Sequence, residues 1–383
     1  MIVQEVILAN VRCHRKRQLS LGEGLTILTG PNGSGKTSVL EALLYSLTGR
    51  SLRGAPLPEL IASSQEFLRV ETILARGAAA GGSAAAAAPR APSSLTVAAA
   101  YSRSGDKRLT VDGAPTSAPG RWPDLLPVVT FTPDDLRLVK GSPASRREYL
   151  DRLADHRFPS YADTLRRYEE ALTQRNALLR NPSVPLSDAA FLPWERLLAA
   201  LGHALAQSRA ALLAELAPLF QEQYCLLTGE LSESVRLIYR TNVAGLDPAG
   251  YAARLAESRT VDRQRTFTHL GPHRDDFRIL RQGLDARDFG SQGEQRTAVL
   301  ALVLAEWKYW QKQGTRPLLL LDDVMSELDE ARRHALLSAL EGMGQVVITT
   351  VDLRYFSPHE LAKARVVNMV EKENSGGSTV SPA

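Results

Sequence analysis

The segment GPNGSGKTS, Gly30–Ser38, constrains the fold more than any other part of the sequence. It follows the apolar run Leu25–Thr29, which predicts a buried strand, and it leads into TSVLEALLYSL, whose spacing predicts a helix. A glycine-rich loop in this position that ends in Gly-Lys-Thr matches the phosphate-binding pattern G-x-x-x-x-G-K-[ST]. The chain is therefore predicted to contain an α/β nucleotide-binding lobe.

Each part of this loop has a chemical role in the pattern. The glycines let backbone amides wrap the phosphates, Lys36 reaches the β- and γ-phosphate oxygens, and the Thr37 hydroxyl would bind Mg²⁺. The alternative is a glycine-rich turn with a chance lysine. The predicted nucleotide contacts are Gly30, Pro31, Asn32, Gly33, Ser34, Gly35, Lys36, Thr37 and Ser38.

A second motif, LLLLDDVMSELD at Leu318–Asp329, complements the loop. A buried apolar strand that ends in two acids would place Asp322 beside the metal and Asp323 where an attacking water could lie. Taken alone, the segment also fits a strand followed by a solvated acidic turn. The phosphate-binding loop elsewhere in the chain favours the catalytic interpretation.

Secondary-structure patterns divide the chain into α/β, helical and again α/β parts. Long amphipathic stretches are predicted at Arg146–Leu179, Phe191–Leu227 and Pro248–Ser258, without the sustained heptads of a coiled coil. The low-complexity segment at 75–94 predicts a loop. The predicted strands are Val3–Leu8, Leu25–Thr29, Phe67–Ala75, Leu95–Ser102, 126–131, 317–324 and 345–351.

One nucleotide-binding lobe with a helical insertion explains this order better than three separate domains. The predicted parts of the ATPase lobe are 1–140 and 265–372, the helical second lobe spans 141–264, and a disordered tail occupies 373–383. The fold class is thus α/β, a P-loop lobe with a mixed or parallel sheet and helices, interrupted by a mainly helical second lobe.

Composition limits the cellular setting. A net charge of +4 in 383 residues, with a pI of about 9.1, permits a polyanionic partner without requiring one. The two cysteines, Cys13 and Cys225, form no metal-binding or redox spacing. The N-terminus lacks the pattern of a signal peptide, and no apolar run approaches the roughly 18 residues that span a bilayer. We expect a cytoplasmic protein with no membrane partner.

The segment GSQGE at 290–294 resembles the LSGGQ signature of ABC-type ATPases, with Ser291 and Gly293 at matching places. In that superfamily the signature helix points at the γ-phosphate of a nucleotide bound to another subunit. The alternative is an ordinary serine-capped helix. The long separation of Lys36 from Ser291 resembles the SMC-type branch of the superfamily, without its coiled coil.

Three longer blocks resemble the RecF family of bacterial DNA replication and repair proteins, over essentially the whole chain. They are the phosphate-binding loop continued through TSVLEALLYSLTGRSLRG, the segment PDDLRLVKGSPASRREYLD at 133–151, and LGPHRDDF at 270–277. The resemblance implies an ATP-dependent DNA-binding protein that forms a homodimer around two ATPs. It also implies cooperation with RecO and RecR in loading RecA at gaps, where single-stranded and double-stranded DNA meet.

Two departures from ABC transporters predict slow hydrolysis. The place of the transporter histidine reads TTVDL, with Val351 near it and Thr350 beside it, and the second acid is Asp323 rather than Glu. Gln65 is a candidate for the residue that links the metal to DNA, and an ordinary loop role is equally compatible. His273 and Arg274 are compatible with a functional role, but the interpretation as a hydrogen-bonded structural pair is favoured.

Candidate DNA contacts come from four arginines that follow the phosphate-binding helix or lie in the 133–151 block. Contacts to phosphates need only exposed cations, and an ordinary charged surface explains each arginine equally well. No spacing typical of sequence-specific readers occurs. The candidates are Arg50, Arg53, Arg146 and Arg147.

Two other classes of function are compatible with parts of the sequence. A phosphate-loop kinase or GTPase acting on a small molecule is compatible with the loop. The Asn-Lys-x-Asp motif with which GTPases recognise guanine does not occur, however, and a kinase would not need a signature helix that acts on another subunit. A structural SMC-like organiser would need a long heptad arm.

Overall fold

The structure is a computed structural model in which the chain forms two compact units. The predicted loop at 75–94 and tail at 373–383, together with Arg53, fall largely or wholly outside the part that can be described. The described residues are 1–52, 54–75, 94–116, 125–230 and 234–370. Among them, the first unit comprises 1–135, 226–228 and 306–370, and the second comprises 136–225 and 229–305.

Strands and helices alternate in the first unit, and helices dominate the second. The strands are β1 (Ile2–Val11), β2 (His14–Ser20), β3 (Leu25–Thr29), β4 (Phe67–Ala75), β5 (Ser94–Ser102), β6 (Lys107–Val111), β7 (Ala114–Pro115), β8 (Val128–Phe131), β9 (Val235–Arg240), β10 (Asp276–Arg281), β11 (Leu284–Asp285), β12 (Leu318–Leu321), β13 (Val346–Thr350) and β14 (Arg365–Asn368). The helices are α1 (Lys36–Thr48), α2 (Arg137–Lys140), α3 (Pro143–Arg157), α4 (Tyr161–Arg180), α5 (Asp188–Thr228), α6 (Pro248–Glu257), α7 (Arg259–Arg265), α8 (Ala286–Phe289), α9 (Gln292–Lys312), α10 (Glu330–Leu340) and α11 (Pro358–Lys363).

The first unit contains two sheets. One is antiparallel, with the order β2-β1-β4-β5-β6-β7, and the other is parallel, with the order β14-β3-β13-β12-β8. Helix α1 packs against strands of both sheets, and Val39, Leu40 and Leu43 are fully buried in their shared core. Strand β13 lies between β3, which leads into the phosphate-binding loop, and β12, which leads into the two acids. This order decides which side chains meet at the site.

Apolar runs gave correct strands in the first unit. Each predicted strand is present, and Phe67–Ala75 pairs with β5 as expected. Strand β2 was not predicted because its sequence, HRKRQLS, is mostly polar. It lies at the edge of its sheet, where one side of the strand stays unpaired and polar side chains are tolerated.

The second unit joins helices α2 to α8 and the start of α9 to a small sheet with the order β11-β10-β9. The stretch predicted as one helical pattern at Arg146–Leu179 is two helices, α3 and α4. The break falls at Pro159, because proline has no amide to continue the hydrogen bonding of a helix.

The predicted lobe boundaries differ from these units in three segments, two short ones at 136–140 and 226–228 and a long one at 265–305. Residues 265–305 were assigned to the ATPase lobe, but in the structure they belong to the second unit. The reason is strand pairing: β10 pairs along its length with β9, and β11 pairs with β10. The signature loop at Ser291 therefore starts from the second unit.

Helix α5 departs from the expectation that no segment could span a membrane. By length and composition alone it could do so, and it is the one such helix among the described residues. Core helices of soluble proteins meet the same test. Phe191, Leu212 and Phe220 of α5 are fully buried, so the helix uses its apolar side chains for packing.

A buried glutamine links the two sheets of the first unit. The Gln345 side-chain oxygen accepts a hydrogen bond from the Val3 amide at 2.7 Å, and its Nε2 donates to the carbonyl oxygens of Val3 and Gly22 at 2.6 and 2.8 Å. Gln345 itself precedes β13, and its own carbonyl accepts from the Leu319 amide in β12. The Gln345 side chain thus supplies hydrogen bonds between β1 and the parallel sheet in place of strand pairing.

Replacing Gln345 with Ala should lower the free energy of unfolding of the first unit by about 2–4 kcal/mol, because buried backbone groups of Val3 and Gly22 lose their partners. Urea denaturation measures the change. Gln18→Ala is the matched control, since Gln18 makes an exposed bond to Glu5, and it should change stability by no more than about 0.5 kcal/mol. Equal losses in the two variants would refute this role of Gln345.

Candidate functional site

The loop between β3 and α1 has the geometry of an anion cradle. Gly33 and Gly35 have φ values of 81° and 87°, which favour glycine over other residues. A side chain at Gly35 would also collide with the imidazole of His14, whose Nε2 lies 3.1 Å from the Gly35 carbonyl oxygen. The helix begins at Lys36, so the amides of its first turn have no acceptor within the helix. An anion at this end would supply one.

Lys36 lies over the loop. Its Nζ donates to the carbonyl oxygens of Gly30 and Pro31 at 2.6 and 2.9 Å, and the residue is 8% exposed. Burial lowers the pKa of Lys36, while the charges of Asp323 and Asp322 oppose that shift. The two acids therefore favour the ammonium form, which is the form that binds phosphate.

Asp322 joins the loop to the parallel sheet. Its carboxylate accepts hydrogen bonds from the Thr37 hydroxyl, at 2.8 and 3.0 Å, although the two residues are 285 positions apart. It also accepts a bond from the Thr349 hydroxyl at 2.7 Å, and Asp322 is 4% exposed. The structure thus brings together Thr37 and Asp322, the two residues expected to lie beside the metal.

Asp323 has an unusual backbone. Its φ is 48°, in the left-handed region that non-glycine residues rarely adopt. Its amide donates to the Thr349 hydroxyl at 2.9 Å, and its carbonyl accepts from the Ser326 hydroxyl at 2.9 Å. Among the described residues, no donor reaches its buried Oδ1. Such an acceptor suits a residue that orients a water molecule.

These residues fit ATP and Mg²⁺. The ion prefers oxygen ligands and usually takes one or two from the protein, leaving the others to phosphates and water. The hydroxyl of Thr37 and the carboxylate of Asp322 are possible oxygen ligands of the ion, and they are hydrogen-bonded to one another. The cradle of amides and Lys36 lies at the adjoining end of α1 and would hold the phosphates.

Other predicted residues lie elsewhere. The side-chain amide of Gln65 donates to the Ser64 carbonyl at 2.9 Å, and no bond in the described chain joins it to Thr37 or Asp322. Thr350 donates to the carbonyl of Asp352, and Val351 is 41% exposed. The sequence pattern indicated Thr350, but it is the neighbouring Thr349 that contacts both Asp322 and Asp323.

The signature loop forms a capping box at the start of α9. The Ser291 hydroxyl accepts from the Glu294 amide at 3.3 Å, and the Glu294 carboxylate accepts from the Ser291 amide at 2.8 Å. Ser291 is exposed, and the carbonyl of Gly293 accepts from the Thr297 hydroxyl. The serine cap named above as the alternative to a signature is therefore present. A ligand that binds at this end of α9 would also contact the exposed Ser291.

The four arginines proposed for DNA differ in their surroundings. Arg50 is exposed just after α1, and Arg53 lies outside the described residues. Arg146 is buried, with its guanidinium bound to both carboxylate oxygens of Asp276, at 2.6 and 3.0 Å. Arg147 donates to the Asp275 carbonyl, and burial lowers its pKa. These bonds give Arg146 a structural role, and its guanidinium is not exposed for a contact with DNA.

The 133–151 and 270–277 blocks of the sequence are in contact, because Arg146 and Arg147 of the first block bind Asp276 and Asp275 of the second. His273 in the second block contacts the Tyr168 hydroxyl at 2.7 Å and the Thr268 carbonyl at 2.9 Å. Burial is the main cause that lowers the pKa of His273 to about 4, so the imidazole is neutral at pH 7. Arg274 instead packs over the ring of Phe267. Both residues are structural, but they do not bond to one another.

Comparisons with known proteins agree on one family. Residues 2–375 match the family model described as RecF/RecN/SMC N terminal domain. The chain is 37% identical to the DNA replication and repair protein RecF of Heliobacterium modesticaldum, over 374 residues that cover 96% of each chain. It is 32% identical to RecF of Chlorobium luteolum, covering 92% of this chain and 94% of that one.

Solved structures give the same result. A structure of the recombination mediator protein RecF with ATP, in the RecFOR pathway, matches with a TM-score of 0.79 and 30% identity, covering 93% of both chains. The Smc head domain of Pyrococcus furiosus matches with a TM-score of 0.53 and 16% identity, covering 96% of this chain and 93% of that one. The second likeness concerns the fold alone. The predicted α/β ABC-type fold class is confirmed.

Arg146→Ala should lower the free energy of unfolding of the second unit by about 3–5 kcal/mol, because it leaves Asp276 as a mostly buried charge without its partner. Urea denaturation tests this. The control is Arg166→Ala, whose ion pairs with Asp163 and Glu170 are exposed and should contribute no more than about 1 kcal/mol. A loss at Arg146 as small as that at Arg166 would contradict the structural role.

Proposed function

The chain belongs to the RecF family of DNA replication and repair proteins, and from that premise we propose that it is an ATP-dependent DNA-binding protein of recombinational repair. ATP with Mg²⁺ would bind at the loop Gly30–Ser38. Binding would drive two copies to form a homodimer that closes on DNA. The ATPase activity implied by the family would then open it.

The bond between Thr37 and Asp322 carries this proposal. It joins a phosphate-binding loop to an acid at the end of a buried strand, which is the arrangement that P-loop ATPases use to hold Mg²⁺. When bound, the ion neutralises charge on the β- and γ-phosphates. Lys36 would exchange its carbonyl partners, Gly30 and Pro31, for phosphate oxygens.

Asp323 is the proposed residue that orients the attacking water. Its side chain has a buried oxygen without a donor in the part of the chain that we describe. An aspartate is shorter than the glutamate usual in transporters, and Val351 near the place of their histidine cannot exchange a proton. Both differences support slow hydrolysis, which DNA would stimulate, so that ATP serves as a timed clamp.

Ser291 and Gly293 are proposed to contact the γ-phosphate of a nucleotide bound to the other copy. The supporting observations are the exposed serine and the N-terminus of a helix of 21 residues, whose dipole attracts an anion. Glu294 already caps this end. An incoming phosphate would therefore have to replace the bond between the Ser291 amide and the Glu294 carboxylate.

The DNA partner is proposed to be a junction of single-stranded and double-stranded DNA, as at a gap. The net charge of +4 supports a polyanionic partner, and Arg50, Arg53 and Arg147 remain candidate contacts. RecF of the RecFOR pathway matches the chain, so we propose RecO and RecR as protein partners and RecA loading as the outcome. The setting would be cytoplasmic.

Asp323→Asn should keep ATP affinity near normal and lower turnover by at least about 100-fold, since the amide is a poorer acceptor for the proton of the water. The variant dimer should persist on DNA. Turnover is measured as phosphate release, and affinity with a fluorescent ATP analogue. Lys36→Met is the control that should lose affinity as well. Normal turnover in Asp323→Asn would assign the base to another residue.

Ser291→Arg should abolish ATP-driven dimerisation, because it places bulk and charge where the other copy's γ-phosphate would lie. Affinity for ATP should stay near normal, since Lys36 and Thr37 are unchanged, and turnover should fall by about 10²–10³. Light scattering with ATP, ADP or no nucleotide measures the dimer. A Ser291→Arg protein that still dimerises with ATP would reduce the signature loop to a helix cap.

A further inference from the structure

We infer that Thr349 is a positioning residue for ATP hydrolysis, whose single hydroxyl fixes the two acids of the site in place. The inference rests on the proposed function, and it adds a residue to which the sequence motifs assign no role. Thr349 would touch neither nucleotide nor metal. It acts through Asp322 and Asp323.

The direction of both hydrogen bonds follows from the chemistry of the partners. The Asp322 carboxylate can only accept, so the Thr349 hydroxyl donates its proton to Oδ1, at 2.7 Å. The amide of Asp323 can only donate, so it binds a lone pair of the same hydroxyl, at 2.9 Å. Thr349 is 1% exposed, which leaves little access for water to replace these bonds.

Sheet order explains why this residue reaches the acids. Strand β13 lies between β3 and β12, and Ile348 pairs with Leu321 in a parallel register. The next residues are Thr349, which is still on β13, and Asp322, which directly follows β12. Because threonine is branched at Cβ, its χ1 angle is restricted and its hydroxyl has a defined direction. The Asp322 carboxylate is thus held between Thr37 and Thr349.

The backbone of Asp323 depends on the same hydroxyl. Its left-handed conformation, with φ of 48°, is unfavourable for a residue with a side chain. Two hydroxyls hold it there, because Thr349 accepts from the amide and Ser326 donates to the carbonyl. Loss of the Thr349 bond would let the peptide rotate and move the carboxylate. Misplacement of a reacting group by about 1 Å can cost on the order of 100-fold in rate.

Thr350 provides a matched control. It is the same residue type on the same strand, and it is fully buried. Its hydroxyl donates to the Asp352 carbonyl at 3.0 Å and accepts from the Asp352 amide at 3.2 Å. These bonds close the turn after β13 and do not involve Asp322 or Asp323. Any general effect of removing a buried threonine hydroxyl from this strand should appear equally at Thr350.

The test compares Thr349→Val, Thr350→Val and Thr349→Ser in the full-length protein. Thr349→Val should lower kcat by about 10–100-fold, the usual cost of losing a residue that orients a metal ligand. Its affinity for the fluorescent ATP analogue without Mg²⁺ should change less than about 3-fold, because the loop and Lys36 are untouched. The Mg²⁺ concentration for half-maximal rate should rise. Thr350→Val and Thr349→Ser should keep kcat within about 3-fold of the parent, the serine because it restores the hydroxyl.

Several results would overturn the inference. They are a kcat for Thr349→Val within 3-fold of the parent, an equal loss in Thr350→Val, or failure of serine to restore the rate. Should Thr349→Val fail to fold, Thr349→Ala replaces it. A slow alanine variant beside a normal serine variant supports the inference, and equal rates in the two overturn it.

Lys36→Met separates this inference from the proposed function. Turnover that survives in Lys36→Met would not come from this site, and both proposals would fall. Turnover that is lost in Lys36→Met but normal in Thr349→Val would overturn the role of Thr349 alone.

Discussion

The candidate ATP site depends on one buried carboxylate, that of Asp322. A charge removed from water must be compensated by donors, and Thr37 and Thr349 supply them. These donors come from the start of α1 and from the end of β13, while the carboxylate follows β12. The same bonds that compensate this charge therefore hold three separate segments in one arrangement. The hydrogen bonds that stabilise this part of the fold are therefore also the ones that position the site.

Local patterns were enough to predict much of this arrangement. The loop Gly30–Ser38 and the buried strand before Asp322 each have a sequence signature, and the comparisons confirm the fold class. Thr349 could not be identified in this way, because its role depends on which strand lies beside β12. A clue existed in the run QVVITTV, which predicts a parallel strand with two threonines near its end, but nothing local selects the first threonine over the second.

The buried arginines were harder to interpret. In the sequence Arg146 resembles a surface cation, and only the packing of α3 against β10 places Asp276 beside it. A charged side chain is expected outside unless a partner is known. That partner lies 130 positions away. Sequence reasoning therefore overestimated the number of arginines available to DNA.

The order of synthesis determines when β3 can pair with its neighbouring strands. In the parallel sheet β3 pairs with β13 and β14, which both come from the end of the described chain. The 285 positions between Thr37 and Asp322 take about 15–60 s to translate. During that time β3 has two unpaired edges, and unpaired edges invite association with other chains. The nascent first unit therefore exposes these edges until β13 and β14 have been made, and its nucleotide site cannot form before Asp322 has been synthesised.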